Sequence, residues 1–163
     1  MSTKKISHIA ILSALAIIFG YIESLFPASM IPGIKLGISN IVILFALYKS
    51  DLASAFFIML IKVLVTSLLF SGLNVLFYSL SGGVFSILIM YLLKPLLSKI
   101  GVSMAGGVFH NIGQLLAASI MMQTTAVFVY TPYLLISGVI VGLITGNVCN
   151  IVMNRINKKS MSL

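Results

Sequence analysis

The sequence predicts an all-α integral membrane protein with six transmembrane helices, and its composition is the main evidence for that fold class. Of its 163 residues 60% are hydrophobic and 7% are charged, whereas about a quarter of a soluble domain is charged. Most of the ten lysines and arginines stand at the ends of long apolar stretches. Those stretches are apolar on all sides, whereas membrane β-strands alternate in polarity. The chain is therefore predicted to be one transmembrane domain over residues 1–163.

The apolar stretches set the predicted helices, since each crossing of a bilayer needs about 20 residues. Lys4 and Lys5 precede the first stretch and could imitate a secretory signal. That stretch is longer than a usual signal segment, so we interpret it as a retained helix. In order, the predicted helices are Ile6–Phe26, Ile34–Tyr48, Leu52–Phe70, Asn74–Leu93, Val102–Met122 and Pro132–Met153.

The distribution of positive charge predicts the orientation of these helices. If the helices alternate across the membrane, Lys35 alone falls on one side. Cytoplasmic loops of membrane proteins are enriched in lysine and arginine. Both termini are therefore expected in the cytoplasm, in a multi-pass protein of the cell membrane. The basic residues on the predicted cytoplasmic side are Lys4, Lys5, Lys49, Lys94, Lys99, Arg155, Lys158 and Lys159.

Two interruptions break the apolar pattern. The segment Pro27–Gly33 contains two prolines and a glycine, so it is not regular helix. It is either a cap over the outer face or an ordinary connector. Ser81, Gly82 and Gly83 interrupt the fourth helix, where they predict a kink, a broken turn or a close helix contact.

Small residues recur four positions apart on three helices. Gly138, Gly142 and Gly146 form such a stripe on the sixth helix, and Gly113 with Ala117 repeats the spacing on the fifth. Small residues let membrane helices approach closely, so internal packing is the expected role. Ala10 and Ala14 have the same spacing on the first helix. Spacing alone favours internal packing there too, with contact to a partner protein as the alternative.

Polar side chains at membrane depth mark the candidate site. Lys62, His110, Asn111 and Gln114 fall near the middle of the bilayer, where each costs a few kcal/mol unless it has a partner. Residues three and four apart on a helix project to a similar side, so the last three were expected to face one way. The pattern predicts an outward-open ligand pocket lined by amide, imidazole and ammonium groups. The alternative is that these groups only hydrogen-bond between helices.

Several kinds of chemistry lack the residues they need. The chain has only two acidic residues, Glu23 and Asp51, and they are predicted on opposite sides of the membrane. Magnesium-dependent diphosphate chemistry ordinarily uses clustered carboxylates. No GxxxxGK[ST] loop for nucleotide and no cysteine–histidine spacing for zinc occurs, and the scattered basic residues do not suggest nucleic-acid binding. No cofactor is expected.

Four motifs together resemble a known family. They are PGIKLGISN at 32–40, SLSGG at 79–83, GVSMAGGVFHNIGQ at 101–114, and the glycine-spaced closing helix. In combination they resemble the Gx transporter family, whose members are often labelled heptaprenyl diphosphate synthase component I. These proteins are similar to the substrate-binding S components of energy-coupling factor (ECF) vitamin transporters. The resemblance covers nearly the whole chain.

The resemblance implies a six-helix S component that captures a vitamin-like or quinone-related molecule and delivers it across a bacterial cell membrane. ATP hydrolysis would then occur in partners, a transmembrane coupling protein and two ATPase subunits, so the chain itself is not expected to be an enzyme. An AxxxA pattern on the first helix contacts the coupling protein in similar proteins, which gives Ala10 and Ala14 that role. Pro27–Gly33 would be the gate over the pocket. The residues assigned to the ligand are Glu23, Lys35, Asn40, Lys62, Ser81, His110, Asn111 and Gln114.

Two other hypotheses remain open at the level of the sequence. The synthase label implies a membrane component of a prenyl diphosphate synthase complex, although the shortage of carboxylates argues against independent catalysis. A purely structural membrane scaffold is the third hypothesis. It predicts that Lys62, His110, Asn111 and Gln114 tolerate alanine without loss of any ligand.

Overall fold

The computed structural model describes residues 3–25 and 37–160, and all its regular elements in those ranges are helical. The six α-helices fall close to the predicted ones. A π-helical turn, Ser67–Ser71, continues α3, and a 3-10 turn, Ala126–Tyr130, precedes α6. The helices are α1 Thr3–Leu25, α2 Asn40–Lys49, α3 Leu52–Thr66, α4 Leu73–Leu93, α5 Lys99–Met122 and α6 Thr131–Ser160.

Helix α2 differs most from its predicted bounds. It begins at Asn40 and not at Ile34, because Gly37 has a positive φ of 86° and residues 38 and 39 form a turn. Its ten residues reach about 15 Å, half of the roughly 30 Å hydrocarbon core. Five of them are buried, and α2 packs against α1, α3, α4 and α6. It is a short central helix.

Four helical stretches of the described chain are long and apolar enough to cross a membrane, which makes this a multi-pass membrane protein by length and composition. Helix α5, with 24 residues, is not one of them, since it carries glycines and the polar residues His110, Asn111 and Gln114. Six full crossings and the cytoplasmic position of the termini remain predictions. The four stretches are Thr3–Leu25, Leu52–Ser71, Leu73–Leu93 and Ala126–Lys158.

Six helix ends meet on one face of the molecule, which we call the basic face. Lys5 at the start of α1 pairs with Asp51 before α3, and Lys49 at the end of α2 bonds to Asn157 of α6. Lys94 after α4 donates to the Leu47 carbonyl oxygen at 2.8 Å. In addition, Lys99 of α5 reaches the Asn150 side chain on α6. The convergence of these lysines on one face agrees with the predicted charge asymmetry.

Glycines bring α4, α5 and α6 into backbone contact. A Cβ added to Gly138 would lie 2.9 Å from the Gly107 carbonyl oxygen, and one on Gly142 would lie 2.7 Å from that of Ser103. On the other side of α5, a Cβ on Gly113 would lie 2.9 Å from the Gly82 Cα. The glycine stripe of α6 therefore packs internally, as predicted. Helix α4 is continuous through Ser81–Gly83, and the interruption there is a close helix contact.

Candidate functional site

Glu23, on the last turn of α1, is buried and holds the turn that precedes α2. Its carboxylate accepts hydrogen bonds from the backbone N–H of Gly37, from that of Ile38 at 2.8 Å, and from the Ser39 hydroxyl at 2.8 Å. Backbone N–H groups at the start of a helix lack partners within the helix and favour negative charge. Glu23 therefore anchors the start of α2 to the end of α1.

Lys62 lies on α3 with 3% of its surface exposed, packed against the backbone of α1. A Cβ on Gly20 would lie 3.5 Å from its Cε and 2.7 Å from the Thr66 methyl group, so glycine at position 20 makes room for both side chains. The Glu23 carboxylate, one turn further along α1, acts electrostatically on the buried ammonium. Within the described ranges the direct ion pair is that of Lys5 with Asp51, and Lys62 and Glu23 do not form one.

His110 and Gln114 lie together on the face of α5 that contacts α4. A Cβ on Gly82 would lie 2.8 Å from the Gln114 Cγ and 3.1 Å from the His110 Cε1, so these side chains rest on the bare backbone of α4. The His110 ring also comes near Gly37, at the turn before α2. These two residues therefore meet at a junction of α2, α4 and α5, as the pocket hypothesis requires.

The Gln114 side chain is fully buried, and neither its oxygen nor its nitrogen has a hydrogen-bond partner among residues 3–25 and 37–160. An unsatisfied buried polar group costs about 1–3 kcal/mol. Such a side chain is expected to be satisfied by a group outside the described residues, a water or a ligand. Gln114 is the side chain of this cluster that most directly indicates a ligand.

Asn111 does not join this cluster. Its amide donates to the Leu134 carbonyl oxygen at 2.6 Å and to the Ser137 hydroxyl at 3.4 Å, both on α6. The expectation that His110, Asn111 and Gln114 face one side is wrong for Asn111. At 3.6 residues per turn, it is rotated by about 100° from His110, and α5 lies between α4 and α6.

Ser81 and Asn40 occupy separate places. The Ser81 hydroxyl donates to the Gly113 carbonyl oxygen at 2.8 Å and so joins α4 to α5. Asn40 lines a cavity of about 10 Å³ between α2, α4, α5 and α6, about the room of one water molecule. Ser86, Ser103 and Thr145 share that lining, and sequence reasoning did not single them out. Lys35 and the Pro27–Gly33 segment lie outside the described residues.

Ala10 and Ala14 are exposed on the outer side of α1. The spacing-based preference for internal packing is therefore wrong for this pair, because the buried face of α1 passes through Ile9, Ser13 and Ala16. Contact with a partner protein stays a prediction. Lipid is the other neighbour that exposed alanines on a membrane helix meet.

The described residues do not form a site for a metal ion such as Mg²⁺. Among residues 3–25 and 37–160, no three His, Cys, Asp or Glu side chains come together. Glu23 is bound to the start of α2, and Asp51 accepts from the Ser54 backbone N–H at 2.7 Å and pairs with Lys5. Both carboxylates of the chain therefore have structural partners.

Comparison with known proteins gives one match. A family model described as heptaprenyl diphosphate synthase component I matches residues 12–152. This is the family label to which the four sequence motifs pointed. No curated protein matches the chain, and no solved structure matches it. The description names a synthase component and says nothing of transport, so it favours the synthase hypothesis over the transporter hypothesis.

Proposed function

The chain belongs to the family described as heptaprenyl diphosphate synthase component I, and from that premise we propose that it is the non-catalytic membrane component of a prenyl diphosphate synthase complex. In this proposal a partner subunit carries out prenyl transfer. The membrane component holds the complex at the bilayer, where long prenyl chains are soluble.

The engagement of both carboxylates is the observation that supports a non-catalytic role. Clustered acidic side chains hold the magnesium ions that bind a diphosphate. Here Glu23 is buried under three donors at one end of the molecule, and Asp51 is paired with Lys5 at the basic face. With no other acid in the sequence, the residues do not fit a magnesium–diphosphate centre. The catalytic acids must therefore belong to a partner.

Reconstitution tests both parts of this proposal. The purified chain in lipid nanodiscs, supplied with labelled isopentenyl diphosphate, an allylic primer and Mg²⁺, should form no product. Addition of a soluble prenyltransferase from the same cell should give a complex on size exclusion and should change the rate or the length of the product. Turnover by the chain alone would contradict the non-catalytic role. Failure to bind the enzyme would contradict the role as a component.

A second candidate is the substrate-binding subunit of an ECF-type transporter, and the buried Gln114 amide favours it. This amide lies beside His110 and has no partner in the described residues. Lys62 of the same bundle is a buried charge in a membrane helix, a feature that commonly marks a ligand path. The exposed Ala10 and Ala14 would then contact the coupling protein.

Native mass spectrometry tests this candidate. The detergent-purified protein should retain a small molecule, and Gln114→Met should abolish its retention, whereas Gln123→Met, at an exposed position after the same helix, should not. Ala10→Leu and Ala14→Leu should prevent co-purification with a coupling protein and ATPases, with the exposed Ala53→Leu as control. Equal behaviour of the site and control variants would rule the transporter role out.

A further inference from the structure

A cavity at the basic face lies between the start of α1 and the start of α3. It has a volume of about 280 Å³, and its polar lining comes from Lys4, Lys5, His8, Asp51 and Ser54. Lys5 is already paired with Asp51, so Lys4 and His8 supply the remaining donors. Positive charge with several N–H donors is the usual environment for a phosphate group.

Ser54 gives this cavity a buried donor. The residue is 1% exposed, and its hydroxyl has no hydrogen-bond partner in the described residues. It stands in the first turn of α3, where the positive end of the helix dipole adds to the attraction for an anion. A buried, unpartnered hydroxyl at a cationic cavity is a group that a phosphate oxygen would satisfy.

A second cavity continues along the same side of α1 and is wholly apolar. It has a volume of about 270 Å³ and is bordered by Leu12, Leu15 and Phe19 of α1. Helix α2 forms its floor with Phe45 and its neighbours, and α6 closes the other side through Val148, Cys149 and Val152. No polar side chain lines it, so its occupant must be a hydrocarbon chain.

One face of α1 connects the two cavities. Leu12 lines both of them. Lys4, His8, Leu12, Leu15 and Phe19 recur at helical spacing and fall within about 80° of arc at 100° per residue. Along this face, charge at the start of the helix gives way to apolar side chains over about 22 Å. The change in polarity matches a molecule with an anionic head and one long apolar tail.

We infer that this face of α1 binds a linear isoprenoid diphosphate, with the diphosphate at Lys4, His8 and Ser54 and the prenyl chain in the apolar cavity beyond Leu12. The choice of an isoprenoid over other anionic amphiphiles rests on the proposed synthase function. The cavities themselves do not, because they are set by the packing of α1, α2, α3 and α6. A membrane component with this site would hold the prenyl substrate or product for its catalytic partner.

Equilibrium binding of labelled farnesyl diphosphate to the full chain tests the site. The chain is placed in phosphatidylcholine nanodiscs, and empty nanodiscs correct for partition into lipid. Unlabelled farnesyl diphosphate should displace the label, whereas farnesol, inorganic diphosphate and phosphatidylglycerol should displace it at least about tenfold less well. Competition by phosphatidylglycerol as strong as that by farnesyl diphosphate would show a site for phospholipid and overturn the inference, and so would equal competition by diphosphate alone.

Matched variants locate the binding. Lys4→Gln and Ser54→Ala should each weaken binding about tenfold, the usual effect of losing a hydrogen bond to a charged group. Lys158→Gln makes the same change of charge elsewhere on α6 and should have no effect. Val148→Phe, which fills the apolar cavity, should weaken binding similarly, whereas Val139→Phe, on another part of α6, should not. Equal effects within either pair would overturn the assignment.

These measurements use the chain without any partner, so they fail separately from the proposed function. If the chain forms a complex with the synthase but does not bind farnesyl diphosphate, the site inference is wrong and the component role survives. If it binds farnesyl diphosphate at this site but no synthase associates with it, the site stands and the component role is wrong.

Discussion

The two halves of this molecule are held together by different means. Helices α4, α5 and α6 meet through glycines, and their polar side chains clamp one helix to the next, as in the Asn111 bond to the Leu134 carbonyl oxygen. Helices α1, α2 and α3 meet through side chains, with Glu23 and Lys62 buried among them and two large cavities beside α1. Lipid supplies no hydrophobic drive between helices, so close backbone contact holds the first half. Space for ligands remains only where that contact is absent.

The largest expected effect comes from closing the glycine contact. In Gly142→Ala, the new Cβ would lie 2.7 Å from the Ser103 carbonyl oxygen, and a backbone atom cannot rotate away. We expect the free energy of unfolding to fall by about 3 kcal/mol, measured by denaturation in mixed micelles. Gly101→Ala is the control on α5, because its Cβ meets only the Leu97 side chain, at 3.3 Å. Equal losses would show that the two halves do not differ in this way.

The next effect tests the buried charges of the other half. Glu23→Gln removes one acceptor from the turn before α2 and the negative charge near Lys62, so a loss of about 2 kcal/mol is expected. In a Lys62→Met background the loss should be smaller, since no buried ammonium then needs compensation. Ser24→Ala, at an exposed neighbouring position, is the control. An unchanged loss in the double variant would reduce the role of Glu23 to that of a helix anchor.

A smaller effect is expected at the interhelical clamp. Asn111→Ala removes the 2.6 Å bond to the Leu134 carbonyl oxygen and should cost about 1 kcal/mol of unfolding free energy without affecting retention of any ligand. Asn147→Ala is the matched control, because that amide is exposed and bonds within its own helix. Loss of a bound ligand on Asn111→Ala would return this residue to the candidate site.

The smallest effect concerns pH. The hydrogen bond from Lys5, together with those from Ser54, lowers the pKa of Asp51 from 3.8 to about 2. The carboxylate therefore adds stability above the unfolded pKa, and this is lost as pH falls from about 4 through about 2. A thermal unfolding series over that range should show a smaller slope for Asp51→Asn than for the unsubstituted chain. Identical slopes would show that the pair is not maintained in solution.

The sequence predicted the helices well where apolar length decides the structure, and less well where rotation or capping does. The spacing of Gly138, Gly142 and Gly146 was enough to place the α5–α6 contact. The start of α2 was wrong because it depends on Glu23, which is distant in sequence. Asn111 was misplaced because its orientation depends on which neighbour lies on each side of α5.

The cavities beside α1 could not be predicted at all. Their volumes are what remains after α1, α2, α3 and α6 have packed, and no single segment encodes that remainder. A signal was nonetheless present, since Lys4 and His8 precede Leu12, Leu15 and Phe19 on one helical face. The same sequence pattern would fit a helix lying flat against lipid, so packing was needed to separate the two.

The bonds of Glu23 fix the two ends between which residues 26–36 must run. Because one carboxylate ties the last turn of α1 to the turn before α2, the distance to be bridged does not depend on the connecting residues themselves. Lengthening such a connection costs only about 0.6 kcal/mol for each doubling. Relatives of this chain can thus exchange or extend that segment freely while keeping the same helical frame.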